Sequence, residues 1–212
     1  MIYIIIRCYK GDEHHALVAY ESMKRVGIEG SFIFHYDNEL DEPEHINKTG
    51  ETIINRQPCG NFGGLLFVRK MMDDLQLLPK FKDDDYIIYC DADIIMKDNP
   101  FKYLEVDKNK CFITEQAGVM GEALVAPGVV HVSGQLNIIK GKLWNLWIQG
   151  GQTAITTCHE YLIKHGLGAG CADDTLFSIF SRNVKQYAFK PNECWIHDKW
   201  TMEQYVRYIN IR

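Results

Sequence analysis

Tyr86-Ile87-Ile88-Tyr89-Cys90-Asp91-Ala92-Asp93 is the stretch whose reading decides the fold of this chain. An apolar, β-branched run bounded by charge reads as a strand covered on both faces, because such strands carry continuous rather than alternating hydrophobicity. The run ends in two carboxylates one residue apart. Open α/β sheets bind ligands just beyond the carboxyl ends of their strands. Oxygen donors there suit a hard divalent cation, Mg²⁺ or Mn²⁺, carrying a phosphate. Asp is equally at home in a solvated turn after a strand, so the acid pair alone reads either way.

The bulk properties narrow the surroundings of that motif. The chain has 212 residues, 46% hydrophobic and 24% charged, which suits one large globular domain with a full core. A net charge of −5, a pI of about 5.9 and no block of Lys or Arg argue against nucleic acid as a partner. The longest apolar stretches, such as Met1–Ile6 and Gly63–Val68, fall far short of the ~20 residues a bilayer span needs. Arg7 and Lys10 follow the first apolar run instead of preceding it, so no signal peptide is expected. Seven cysteines are scattered without a C-x-x-C pair, which leaves a zinc or dithiol motif unsupported. A reducing, cytoplasmic location is the expectation. Asn47-Lys48-Thr49 is a glycosylation sequon that matters only in a secreted chain.

Outward from the motif, strands and helices alternate. Ile2–Ile6 reads as a first strand, broken at Lys10-Gly11-Asp12. Asp12 is placed to cap a helix over Glu13–Val26 that Gly27 ends. Ser31–Tyr36 reads as a second strand. Asp37–Cys59 is polar, holds Pro43 and Pro58, and reads as surface loop with a short turn. Gly63–Leu78 has helical spacing and stops at Pro79. After the acids, Asp98-Asn99-Pro100 opens a short helix at Phe101–Leu104, and Lys110–Glu115 reads as a strand. Gly118–Gly128 reads as a mobile loop, and Val129–Lys140 contains strand-like runs. Lys142–His165 reads as helical with an interruption at Gly150-Gly151. Ala172-Asp173-Asp174-Thr175 reads as an acidic helix start, Val184–Phe189 as a strand and Met202–Ile209 as a final helix. This alternation, with no repeat and no low-complexity linker, favours a three-layer α/β sandwich.

Besides Asp91 and Asp93, three features carry candidate chemistry. Asp173-Asp174 could serve a site or simply favour a helix N-terminus. His197, within Cys194-Trp195-Ile196-His197-Asp198-Lys199-Trp200, could be a ligand or pack against its tryptophans. Ser133-Gly134-Gln135-Leu136-Asn137 could line a site or form an ordinary bend.

In this order the motifs resemble the GT-A-fold, D-x-D-containing glycosyltransferases, which are metal-dependent and use nucleotide sugars. The stretch from Leu77-Leu78-Pro79 through Asp91-Ala92-Asp93-Ile94-Ile95 to Asn99-Pro100-Phe101 is similar to that family's helix, strand, D-x-D and short helix. Val132-Ser133-Gly134-Gln135-Leu136-Asn137 resembles its acceptor-side strand, with Val132 where the family often has Asn. Ala172-Asp173-Asp174-Thr175-Leu176 resembles its acidic helix start, and His197 its C-terminal histidine. The resemblance implies a Rossmann-like α/β/α sandwich with a mixed, mostly parallel central sheet, in one domain over 1–212. Within it, 1–105 would form the nucleotide-sugar half and 106–212 the acceptor side and metal-closing tail. It further implies a Mn²⁺ (or Mg²⁺) bound by Asp91, Asp93 and His197. A UDP-sugar donor, with UDP-glucose the first candidate because UDP donors are common in that family, would be contacted by Arg7, Cys8, Tyr9, Arg69, Asp91, Ala92, Asp93 and Lys199. Asp173 or Asp174 would be the catalytic carboxylate of a hexosyltransferase acting on a glycan or other hydroxyl. Such a domain acts alone or as one module of a larger polypeptide.

Three other readings compete. Haloacid-dehalogenase-like phosphatases also place D-x-D at a strand end and a later Asp-Asp pair on Mg²⁺, with a nucleophilic Asp. They carry the motif on their first strand, however, and want Thr or Val where Ile95 stands. A nucleotidyltransferase would need a Gly-rich, basic loop after the first strand, whereas Arg7–Asp12 offers only Gly11. A non-catalytic sugar-binding module on the same fold would not need the full acid and His set.

Overall fold

The computed structural model describes residues 1–9, 11–37, 43–55, 80–104, 111–115, 132–149, 160, 164, 186–189 and 194–211. Strands β1 (Ile2–Tyr9), β2 (Ser31–Asp37), β3 (Thr52–Asn55), β4 (Tyr86–Asp91), β6 (Cys111–Glu115), β7 (Val132–Lys140) and β8 (Gln186–Phe189) form a seven-stranded sheet in the order β3-β2-β1-β4-β7-β6-β8. Its pairings are parallel except those of β7, which runs against both β4 and β6. A separate two-stranded ribbon pairs β5 (Ile94–Met96) with β9 (Trp195–His197). The described helices are α1 (Glu13–Arg25), α2 (Glu44–Asn47), α3 (Phe101–Leu104), α4 (Gly141–Gln149) and α5 (Met202–Ile211).

Alternation along the central strands makes three layers. Ile4, Ile6 and Cys8 of β1 and Ile88 and Cys90 of β4 face α1, where they pack with Ala16, Ala19, Tyr20 and Met23. On the opposite face, Tyr89 stacks on Trp144 of α4, and Trp144 meets Phe81, which packs on Tyr3. Ile87, Ile88, Tyr89 and Cys90 have no exposed surface, as continuous hydrophobicity requires of a strand covered on both sides. Each such side chain contributes roughly 1.5–3 kcal/mol of transfer free energy.

Local chemistry sets the element ends. Gly27, at φ +77°, ends α1, with its N–H on Lys24 O and the Ile28 N–H on Met23 O. This is a Schellman motif, and its left-handed position favours glycine. Ser22 is buried on α1 because its hydroxyl has two duties. It donates to Ala19 O and accepts the Met96 N–H at 2.9 Å, which ties β5 to the helix.

The structure corrects several expectations. The expected loop over Asp37–Cys59 contains α2 and the parallel edge strand β3, which are too short to show a period. Asp12 occupies the N-cap position of α1, but its carboxylate makes no capping hydrogen bond. β4 runs one residue further than Tyr86–Cys90 and takes in Asp91. The ribbon β5–β9 was not foreseen, since three-residue strands carry no periodic signal. The expected helix over Gly63–Leu78 and the loop over Gly118–Gly128 lie outside the described residues, as does most of the second half of Lys142–His165.

Candidate metal and nucleotide site

The site gathers at the carboxyl end of β4. Asp91 closes that strand, Ala92 turns the chain, and Asp93 immediately precedes β5. The tail then returns alongside. His197 pairs with Ile94 in the ribbon, and the Asp198 N–H donates to Asp93 O at 3.0 Å. This backbone pairing brings His197 Nε2 to 3.1 Å from Asp93 Oδ1. One ligand atom from each of Asp91, Asp93 and His197 lies within 4.8 Å of the others.

The donor set fits a divalent cation, because ligands about 2.1 Å from a shared ion stand roughly 3–4 Å apart, a spacing these atoms reach with small side-chain adjustments. Carboxylates favour Mg²⁺ and Mn²⁺, and the imidazole admits transition metals. The electrostatics suit the same purpose. Burial pushes the Asp93 carboxyl up, but the hydrogen bond and charge of His197 outweigh it and leave Asp93 below its ordinary value. The hydrogen bond it donates to Asp93 holds His197 above its own value against the opposing effect of burial, with help from the charges of Asp93, Asp91 and Asp198.

Arg7, Cys8, Tyr9, Ala92 and Lys199 are the other expected residues among those described. Arg7 sits beside Asp91 in register across β1 and β4, buried at 4% exposure, and donates from Nε and Nη2 to Asp91 Oδ1. Cys8 is wholly buried in the core with Ala16, Ala19 and Met23 of α1. Tyr9 closes β1, and Ala92 is buried between the two acids. Lys199 Nζ lies 3.6 Å from Asp12 Oδ1. Residues 132–137 run along β7 next to β4, with Asn137 opposite Tyr89 and Leu136 opposite Cys90. Arg69, Asp173 and Asp174 lie outside the described residues.

Sequence reasoning missed the residues that hold the tail. His15 Nδ1 lies 3.0 Å from Trp200 O. The Asp198 carboxylate accepts the Lys199 N–H and the Trp200 indole N–H. Val18 and Ile95 bury Tyr205 of α5. The polar residues between His197 and α5 were the available signal, but nothing in them indicates what they touch.

No family model and no curated protein sequence matches the chain. Solved structures do. The galactosyltransferase LgtC, in complex with donor and acceptor sugar analogs, superposes with a TM-score of 0.60 at 12% identity, covering 87% of this chain and 72% of its own. The glycosyltransferase GlyE of Streptococcus pneumoniae TIGR4 superposes at 0.54 and 13% identity, covering 90% of this chain and 46% of its own. At such low identity the likeness is one of fold. The chain has the GT-A fold that these glycosyltransferases share.

Proposed function

We propose that this chain is a divalent-cation-dependent glycosyltransferase that moves a hexose from a UDP-sugar, with UDP-glucose the first donor to test, to a hydroxyl of a glycan or other acceptor. The observation that carries this reading is the convergence of Asp91, Asp93 and His197 at a strand end, in a fold whose solved neighbours are glycosyltransferases. Asp91, Asp93 and His197 would hold Mn²⁺ or Mg²⁺. When bound, the cation would act as a Lewis acid toward the leaving diphosphate.

The protein's own groups have distinct tasks in this reading. The end of β1 at Arg7, Cys8 and Tyr9 would border the nucleobase through its backbone, since Cys8 is buried and the Arg7 guanidinium is held on Asp91. Lys199, held near the site by Asp12, and Arg69 would face diphosphate oxygens. In the transfer, the acceptor hydroxyl oxygen forms a bond to the sugar C1 as the bond from C1 to the diphosphate oxygen breaks. The hydroxyl proton leaves to a base, and the sugar centre is oxocarbenium-like in between. Asp173 and Asp174 are the candidate carboxylates to take that proton or to steady that centre.

Calorimetry tests the reading directly. UDP is expected to bind in the presence of Mn²⁺, and a UDP-sugar to be hydrolysed slowly without acceptor. Asp93→Ala is expected to abolish both. UDP binding that survives Asp93→Ala would sink the assignment. Hydrolysis of a generic phosphomonoester that Asp91→Asn abolishes would favour a phosphatase instead.

A further inference from the structure

Arg7 and Asp91 are neighbours on parallel strands, so their side chains leave the sheet on the same face. The guanidinium meets the carboxylate in a place where Arg7 is 4% exposed. Nε, at 2.8 Å, and Nη2 both donate to the same oxygen, Oδ1. The guanidinium also lies 5.6 Å from the Tyr89 ring centroid. Arginine keeps its charge when buried, and here two of its N–H groups converge on one carboxylate oxygen and fix where that oxygen lies.

The charge count at the site follows. Among the described residues, Asp91 and Asp93 bring two negative charges to the donor set and Arg7 stands against one of them when His197 is neutral, while the exposed Asp198 and Lys199 offset each other. A dication approaching Asp91 therefore meets a fixed positive charge one carboxylate away. In a partly buried setting that repulsion is stronger than it would be in water. An anionic diphosphate experiences the opposite effect, being attracted by both the dication and Arg7. Arg7 thus penalises the cation alone and favours the cation together with an anion.

On the cation-site reading above, we infer that Arg7 is a positioning residue that aims the Asp91 carboxylate and sets the charge of the site, so that the divalent cation binds weakly alone and firmly only with an anionic diphosphate. The arrangement makes metal loading conditional on donor arrival.

Mn²⁺ titrations by electron paramagnetic resonance and calorimetry, first without nucleotide and then with UDP, test the inference on the wild type and on Arg7→Met, Arg7→Gln and Arg7→Lys. The two neutral variants are expected to bind Mn²⁺ alone about tenfold more tightly than the wild type. UDP is expected to raise their Mn²⁺ affinity by a smaller factor than it does in the wild type. Arg7→Lys, which keeps the charge, is expected to restore weak binding of the cation alone. A merely structural role would weaken Mn²⁺ binding instead. If Arg7→Met does not fold, Arg7→Gln carries the comparison, because it keeps a hydrogen-bond donor. Unchanged or weaker Mn²⁺ binding in the neutral variants overturns the inference while leaving the cation site standing. Absence of Mn²⁺ binding in every protein, with and without UDP, overturns both.

Discussion

Asp93 and His197 each have a bland reading in the sequence, as a turn acid and as a histidine packed among tryptophans. Their 3.1 Å contact is what joins them into one cluster with Asp91, and no spacing in the chain could have announced it. Arg7 was legible as a residue at a strand end near the ligand, but its burial against Asp91 was not, because that depends on β1 lying beside β4. Gly141 makes the same point for stability. A Cβ at that position would stand 2.0 Å from the Lys82 carbonyl oxygen, a backbone atom that cannot swing aside. The close approach lets the Gly141 N–H donate to Asp85 O at 2.8 Å. Gly141→Ala is therefore expected to destabilise the chain by about 1–3 kcal/mol, read as a lowered urea midpoint. Unchanged stability would mean that the loop before β4 shifts freely. In the sequence Gly141 looks only like an unremarkable residue before a helix.

At the scale of elements, the ribbon β5–β9 and helix α5 act as a clasp across the site. The ribbon supplies His197 through backbone pairing with Ile94, and α5 anchors it through Tyr205 on Val18 and Ile95. The titration of the metal-free clasp has a definite sign. His197 is held above its ordinary value by Asp93, so its contribution is present below about pH 6.5 and fades as pH rises through the raised value. Asp93 is held below its ordinary value, because His197 outweighs burial. Its contribution is present above about pH 4 and fades as pH falls through the lowered value. The pair therefore stabilises most in the window from about pH 4 to 6.5. With a chelator present, the difference in melting temperature between wild type and His197→Gln is expected to peak in that window and to shrink as pH rises through the raised His197 value. A difference that is flat with pH would show that the contact contributes nothing through charge. Long elements such as β1, α1, β2 and β4 were legible because burial imposes a period or a continuous apolar run. The ribbon and β3 were not, because three or four residues hold no period and their pairing partners are distant in the chain.

For the whole molecule, a ligand that binds only the folded state raises its stability by mass action. Mn²⁺ and UDP together, each at about one hundred times its dissociation constant, are expected to add about 2.7 kcal/mol or more. For a domain of this size that corresponds to roughly 5–10 °C in melting temperature. The rise is expected to vanish with a chelator, and a rise that persisted would place UDP binding outside the acid cluster. No described helix is long and apolar enough to cross a membrane. The sequence by itself determined the class of the fold, because the buried run at Tyr86–Cys90 and its alternation with amphipathic segments leave few ways to cover both faces of a strand. It also located the acid pair at the end of that strand, where an open sheet offers a ligand its place. Only the tertiary structure decided the sheet order, the single reversed strand β7, and the return of the tail that sets His197 against Asp93. These depend on pairings between segments as distant as Ile94 and His197, and such pairings are selected by the packing of the whole core rather than by any local preference.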